Sequence, residues 1–84
     1  MMVLAGPSTF RTLHHRRLAE GVVEELVGRI RRGEFPPGAR LPSERSLVET
    51  LGVSRAVIRE ALVYMQQAGI VYTRQGAGSF VSAG

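Results

Sequence analysis

Two short amphipathic segments of this chain are separated by only Gly52, Val53 and Ser54. The first, over about residues 43–51, carries Leu47, Val48 and Leu51 on one face. The second places Ile58, Ala61, Leu62 and Met65 on one face, the spacing of a helix that buries a single stripe. Ser43 and Ser54 are suited to cap the two helices, because a serine hydroxyl accepts from the free N–H groups of a first turn. Glu44 stands where the helix dipole favours an acid. Gly52 suits the left-handed residue that ends a helix, and Gly69 ends the second helix in the same way. So short a turn forces the two helices to pack through their apolar faces. The first turn of the second helix then points outward, which is a helix-turn-helix arrangement.

The rest of the chain supplies a third helix and a hairpin. Leu18, Val22, Leu26 and Ile30 recur every four residues, widened by Ala19, Val23 and Val27, and predict a helix over residues 16–32. Glu25 and Arg29 make a favourable pair on its outer face. Phe35-Pro36-Pro37-Gly38 is a loop, since proline neither continues a helix nor donates to a ladder. Arg40-Leu41 reads as a very short strand. Residues 70–74 and 79–82 read as two strands around the glycine-rich turn Gln75-Gly76-Ala77-Gly78. The expectation is a mainly α domain with a small β-hairpin (α+β), a winged helix-turn-helix of three helices plus a wing. Residues 1–15 are expected to form a flexible arm, residues 16–82 the domain, and residues 83–84 a tail.

At 84 residues there is room for one core. The absence of cysteine excludes disulfides, thiolate catalysis and Cys-ligated metal. All 11 basic residues are Arg and all 7 acidic ones Glu. A Schiff-base lysine and any Asp-based triad or metal cage are thereby excluded. Ser43 and Ser54 also lack a base, because the only histidines, His14 and His15, lie together in the arm. Adjacent residues on a helix point apart, so that pair does not read as a metal site. Gly76-Ala77-Gly78 lacks the strand-to-helix context of a nucleotide-phosphate loop. No enzyme, metal or cofactor is expected. No apolar run approaches a membrane span, no targeting segment is visible, and the expected location is the cytoplasm.

The formal net charge is +4, and a compact basic domain suits a polyanion. The surplus lies in residues 1–19 and 40–84, whereas residues 20–39 are close to balanced. Ser54, Arg55, Ala56 and Arg59 fall on or beside the exposed face of the second turn-linked helix. Arginine has the fork that fits guanine O6 and N7 or phosphate. Arg55 and Arg59 repel one another at i,i+4 unless an anion satisfies them. Glu60 reads as a partner for a neighbouring arginine. Arg74, Gln75 and Gly76 stand at the hairpin tip, where small residues let backbone approach a minor groove. Two other readings use the same face, one as a protein-interaction surface and one as a sequence-neutral nucleic-acid packer.

Five runs in order and spacing carry a resemblance. They are Leu41-Pro42-Ser43-Glu44-Arg45, Leu51-Gly52-Val53-Ser54-Arg55, Val57-Ile58-Arg59-Glu60-Ala61-Leu62, Gly69-Ile70-Val71 and Gly76-Ala77-Gly78-Ser79-Phe80-Val81. Together they resemble the DNA-binding domain of GntR-type bacterial transcription regulators, over about residues 16–82. The run Val53-Ser54-Arg55 with Arg59-Glu60-Ala61-Leu62 looks most like the FadR-type branch. The resemblance implies that Arg45 contacts operator phosphate or base, that Arg55 and Arg59 are major-groove arginines, and that Ser54 contacts phosphate. It implies that Gly76, beside Gln75, enters the minor groove at the wing. Residues 54–68 would be the recognition helix and residues 70–82 the wing. The implied partner is double-stranded DNA with an inverted-repeat operator. The implied function is that of a metabolite-responsive transcription regulator, repressor or activator. The full-length regulator would be a homodimer. Pairing would be weak or absent for this chain, where the effector domain is expected to be missing. Three positions depart from the pattern. Ala56 and Val57 replace the common Thr or Pro and cannot donate to phosphate, though Ala56 suits contact with a thymine methyl. Val48 replaces a small residue and is expected to alter the packing between helices.

Overall fold

The computed structural model describes the backbone of residues 7–83 and the side chains of residues 12–83. The chain order is α1 (Pro7–Arg31), α2 (Glu44–Leu51), α3 (Arg55–Gln67), β1 (Val71–Arg74) and β2 (Gly78–Val81). The two strands pair antiparallel, with Val71 opposite Val81 and Arg74 opposite Gly78. The expected three helices and hairpin are therefore present, and α1 packs mainly on α3.

The local rules hold at both ends of α2. Ser43 Oγ accepts from the Ser46 amide at 3.1 Å. Gly52 is left-handed, at φ 71° and ψ 30°, and its amide donates to the Val48 carbonyl. Ser54 caps α3 in the same way, accepting from the Val57 amide at 3.2 Å. Val48 is half-buried and packs against the core, as do Leu51 and Val53.

The first helix differs from the expectation. It begins at Pro7 rather than Arg16, so residues 7–15, expected in the arm, are helical. Proline suits the first helical position, because its missing N–H is unpaired there anyway. Residues 1–6 of the expected arm lie outside the described residues. The buried stripe of α1 is Ala19, Val22 and Leu26, flanked by Val23, Val27 and Ile30, while Leu18 remains 38% exposed. At about 100° per residue Leu18 lies roughly a quarter turn from the centre of that stripe.

Leu26, Leu47, Ile58 and Met65 are the largest fully buried side chains, one or two from each helix. Val57, read from the sequence as a lost phosphate donor, is 2% exposed and belongs to the core. The face of α3 that meets α1 and α2 is rotated toward Val57, which leaves Leu62 only half-buried. The expected strand at Arg40-Leu41 is a single bridge from Arg40 to Phe80. The Leu41 amide donates to the Ser79 carbonyl at 2.8 Å, and the Val81 amide donates to the Ala39 carbonyl at 2.9 Å. The segment before α2 is thereby sewn to the outer edge of the wing, and Leu41, Val71 and Val81 close the core from that side.

Candidate nucleic-acid interface

The first turn of α3 points outward because Val57, Ile58 and Ala61 point inward. Ser54, Arg55, Ala56 and Arg59 are all exposed. The Ser54 hydroxyl accepts from the Val57 amide, so its free hydrogen remains available to a further acceptor. Arg55 makes no ion pair among the described residues. Arg59 is differently placed. Its Nε donates to both carboxylate oxygens of Glu44, at 3.2 and 3.3 Å. The repulsion expected between Arg55 and Arg59 is thus relieved from inside the protein, by an acid at the start of α2. Because the contact uses Nε, the outer edge of the Arg59 guanidinium, with its two Nη groups, is left for a ligand.

Arg45 lies on the exposed side of α2 and reaches Glu49 at 3.6 Å, with the two side chains 83% and 69% exposed. A pair that open to solvent contributes little. On the wing, the Arg74 guanidinium sits 5.9 Å from the Phe80 ring centre, and Phe80 stacks on Tyr72 at 5.5 Å. Gln75 and Gly76 stand exposed at the tip, Gly76 with φ 78°. Thr73 Oγ1 donates to Gln66 Oε1 at 3.0 Å, which ties β1 to the outer face of α3. Helix and wing are therefore presented together as one surface.

Two residues outside the expected set join it. Glu44 was visible in the sequence only as a first-turn acid, because a partner fifteen residues away leaves no local signal. In the sequence Arg40 stands out only as part of the short strand expected at Arg40-Leu41. It shares a cleft of about 370 Å³ with Arg45 and Arg55. Glu60 does not pair with an arginine as expected; His15 Nε2 lies 3.0 Å from its carboxylate, because α1 crosses α3 on that side. A larger cleft, about 500 Å³ between α1 and α3, bears Glu20, Glu24 and Glu60 against the single Arg16 and does not suit a polyanion. Among the described residues no group of three or more acidic or histidine side chains could hold a metal ion. No described helix is long and apolar enough to cross a membrane.

The family model for bacterial regulatory proteins of the gntR family matches residues 18–81. The chain belongs to the GntR family. Among curated relatives, the HTH-type transcriptional regulator Mce2R of Mycobacterium tuberculosis is 51% identical over 61 residues, 73% of this chain and 25% of the relative. The repressor NanR of Klebsiella aerogenes is 44% identical over 72 residues, 86% of this chain and 28% of the relative. The chain spans about a quarter to a third of the length of the curated relatives it matches. Among solved structures, the AraR DNA-binding domain in complex with operator ORR3 matches with a TM-score of 0.75 and 35% identity. That match covers 77% of this chain and 78% of the AraR chain. The match over residues 18–81 holds α2, α3 and the wing within the family's shared region.

Proposed function

We propose that this GntR-family domain reads double-stranded DNA by sequence as the DNA-binding part of a metabolite-responsive transcription regulator. The observation that carries the reading is the exposed first turn of α3. It presents Ser54, Arg55, Ala56 and Arg59 together while the residues between them fill the core. In this reading residues 54–68 enter the major groove, with Arg55 and Arg59 on guanine edges and Ala56 against a thymine methyl. Ser54 and Arg45 take backbone phosphates, which fix register rather than sequence. Residues 70–82 bring Arg74, Gln75 and Gly76 to the neighbouring minor groove. Residues 16–82 are the reading unit, and the run Val53-Ser54-Arg55 with Arg59-Glu60-Ala61-Leu62 supports a FadR-like branch. A full-length regulator would bind an inverted repeat as a homodimer, with recognition helices about one helical turn apart. Pairing by this chain alone would be weak or absent. No catalytic role is assigned, and the site of action is the cytoplasm.

The test is repeated selection by this chain from a library of random-sequence duplexes. Enrichment of one sequence is expected. Its binding constant should fall steeply with salt, because arginine–phosphate contacts release counterions. No enrichment, or a binding constant indifferent to salt, overturns the reading.

A further inference from the structure

Three arginines from separate parts of the chain line one cleft. Arg40 comes from the segment before α2, Arg45 from α2 and Arg55 from the start of α3, with Ser43, Thr73 and Ser79 also lining the space. Like charges brought together in this way repel one another unless an anion lies between them. Among the described residues neither Arg40 nor Arg55 has an ion-pair partner. The one acid in the cleft, Glu44, is engaged by Arg59. The hydroxyls of Ser43 and Ser79 and the unpaired guanidinium groups of Arg40 and Arg55 around a concave space match the chemistry of a phosphate, whose oxygens accept from both.

Arg40 is also held in place before any ligand arrives. Its backbone is bridged to Phe80 on β2. Its side chain lies flat along Gly78, so that a Cβ there would stand 3.0 Å from Nε, 3.5 Å from Nη2 and 3.7 Å from Cζ. Gly78, at φ 111°, is thus required twice, by its backbone and by the arginine that covers it. The arginine lines the cleft between the start of α3 and the wing. We propose that this cleft seats one backbone phosphate of duplex DNA and that Arg40 binds it. The inference rests on the DNA-reading function above. Arg40 supplies position and affinity; it does not read sequence.

The variants Arg40→Gln and Arg40→Lys test this. Gln keeps a side chain over Gly78 without the charge, and Lys keeps the charge without the fork. Each is titrated against the selected duplex and a scrambled duplex over a range of salt. Arg40→Gln should weaken both duplexes by the same factor, about tenfold or more for a charge-assisted contact. The slope of log K against log[salt] should become shallower by about 0.9, one phosphate fewer, while Arg40→Lys should retain the parent slope. In the parent, a single neutral methylphosphonate scanned along the duplex should cost affinity at one position where Arg40→Gln shows no further loss. An unchanged slope in Arg40→Gln overturns the inference, as does a loss confined to the selected duplex. If the parent enriches no sequence at all, the DNA reading itself has failed; if it does enrich one and the slope is unchanged, only the Arg40 assignment has failed.

Discussion

Removal of the Glu44 carboxylate separates the stability of this domain from its selectivity. In Glu44→Ala the Arg59 guanidinium loses the partner that holds its Nε at 3.2 and 3.3 Å. The two side chains are 63% and 36% exposed, so solvent screens the pair and its loss costs about 0.2–1 kcal/mol. The same carboxylate lies in the first turn of α2, where an acid contributes about 0.3–1 kcal/mol through the helix dipole. Together the substitution should cost about 0.5–2 kcal/mol, a drop of several degrees in Tm for a domain of this size. Binding should move in two directions at once. Loss of a negative charge at the interface should tighten binding to a scrambled duplex and steepen its salt dependence. Preference for the selected duplex should fall, because Arg59 is no longer aimed. One well-placed Arg–guanine pair provides about 1–3 kcal/mol of discrimination, so up to about 5- to 140-fold of preference is at stake. Thermal melts and anisotropy titrations against both duplexes would measure this. A Glu44→Ala protein that binds scrambled DNA more tightly yet keeps its full preference would refute the idea that Glu44 positions Arg59.

Other outcomes follow from single contacts. Arg55→Ala should abolish most of the preference for the selected duplex while leaving residual, salt-sensitive binding; parent-like preference in a competition titration would contradict the assignment. Gly52→Ala meets no atom within 4 Å of the new Cβ, so its cost should be conformational alone, about 1–2 kcal/mol for a residue kept at φ 71°, read as a lower denaturation midpoint at unchanged m-value. Ile58→Ala, at a fully buried position in α3, should cost about 2–5 kcal/mol in the same experiment.

The sequence by itself determined what rests on neighbours in the chain. Ser43 and Ser54 cap as expected because a cap joins residues three apart, and Gly52 turns left because that backbone state favours glycine. The hairpin followed from two strand-like runs around Gln75-Gly76-Ala77-Gly78. The apolar stripes of α2 and α3 named Leu47, Ile58, Ala61 and Met65 as core. Only the tertiary structure decided how the elements rotate against one another. Rotation of α1 buries Ala19 in place of Leu18, and rotation of α3 draws in Val57 and leaves Leu62 at the edge. The crossing of α1 over α3 gives Glu60 to His15 instead of to an arginine. The close approach of α2 to α3 gives Arg59 its anion in Glu44. Docking of the segment before α2 on the wing lays Arg40 along Gly78 and turns separated arginines into one cleft. Periodicity names the face of a helix to within about a quarter turn. A charge contact is decided by a few ångströms between residues far apart in the chain, and that distance exists only once the core has closed.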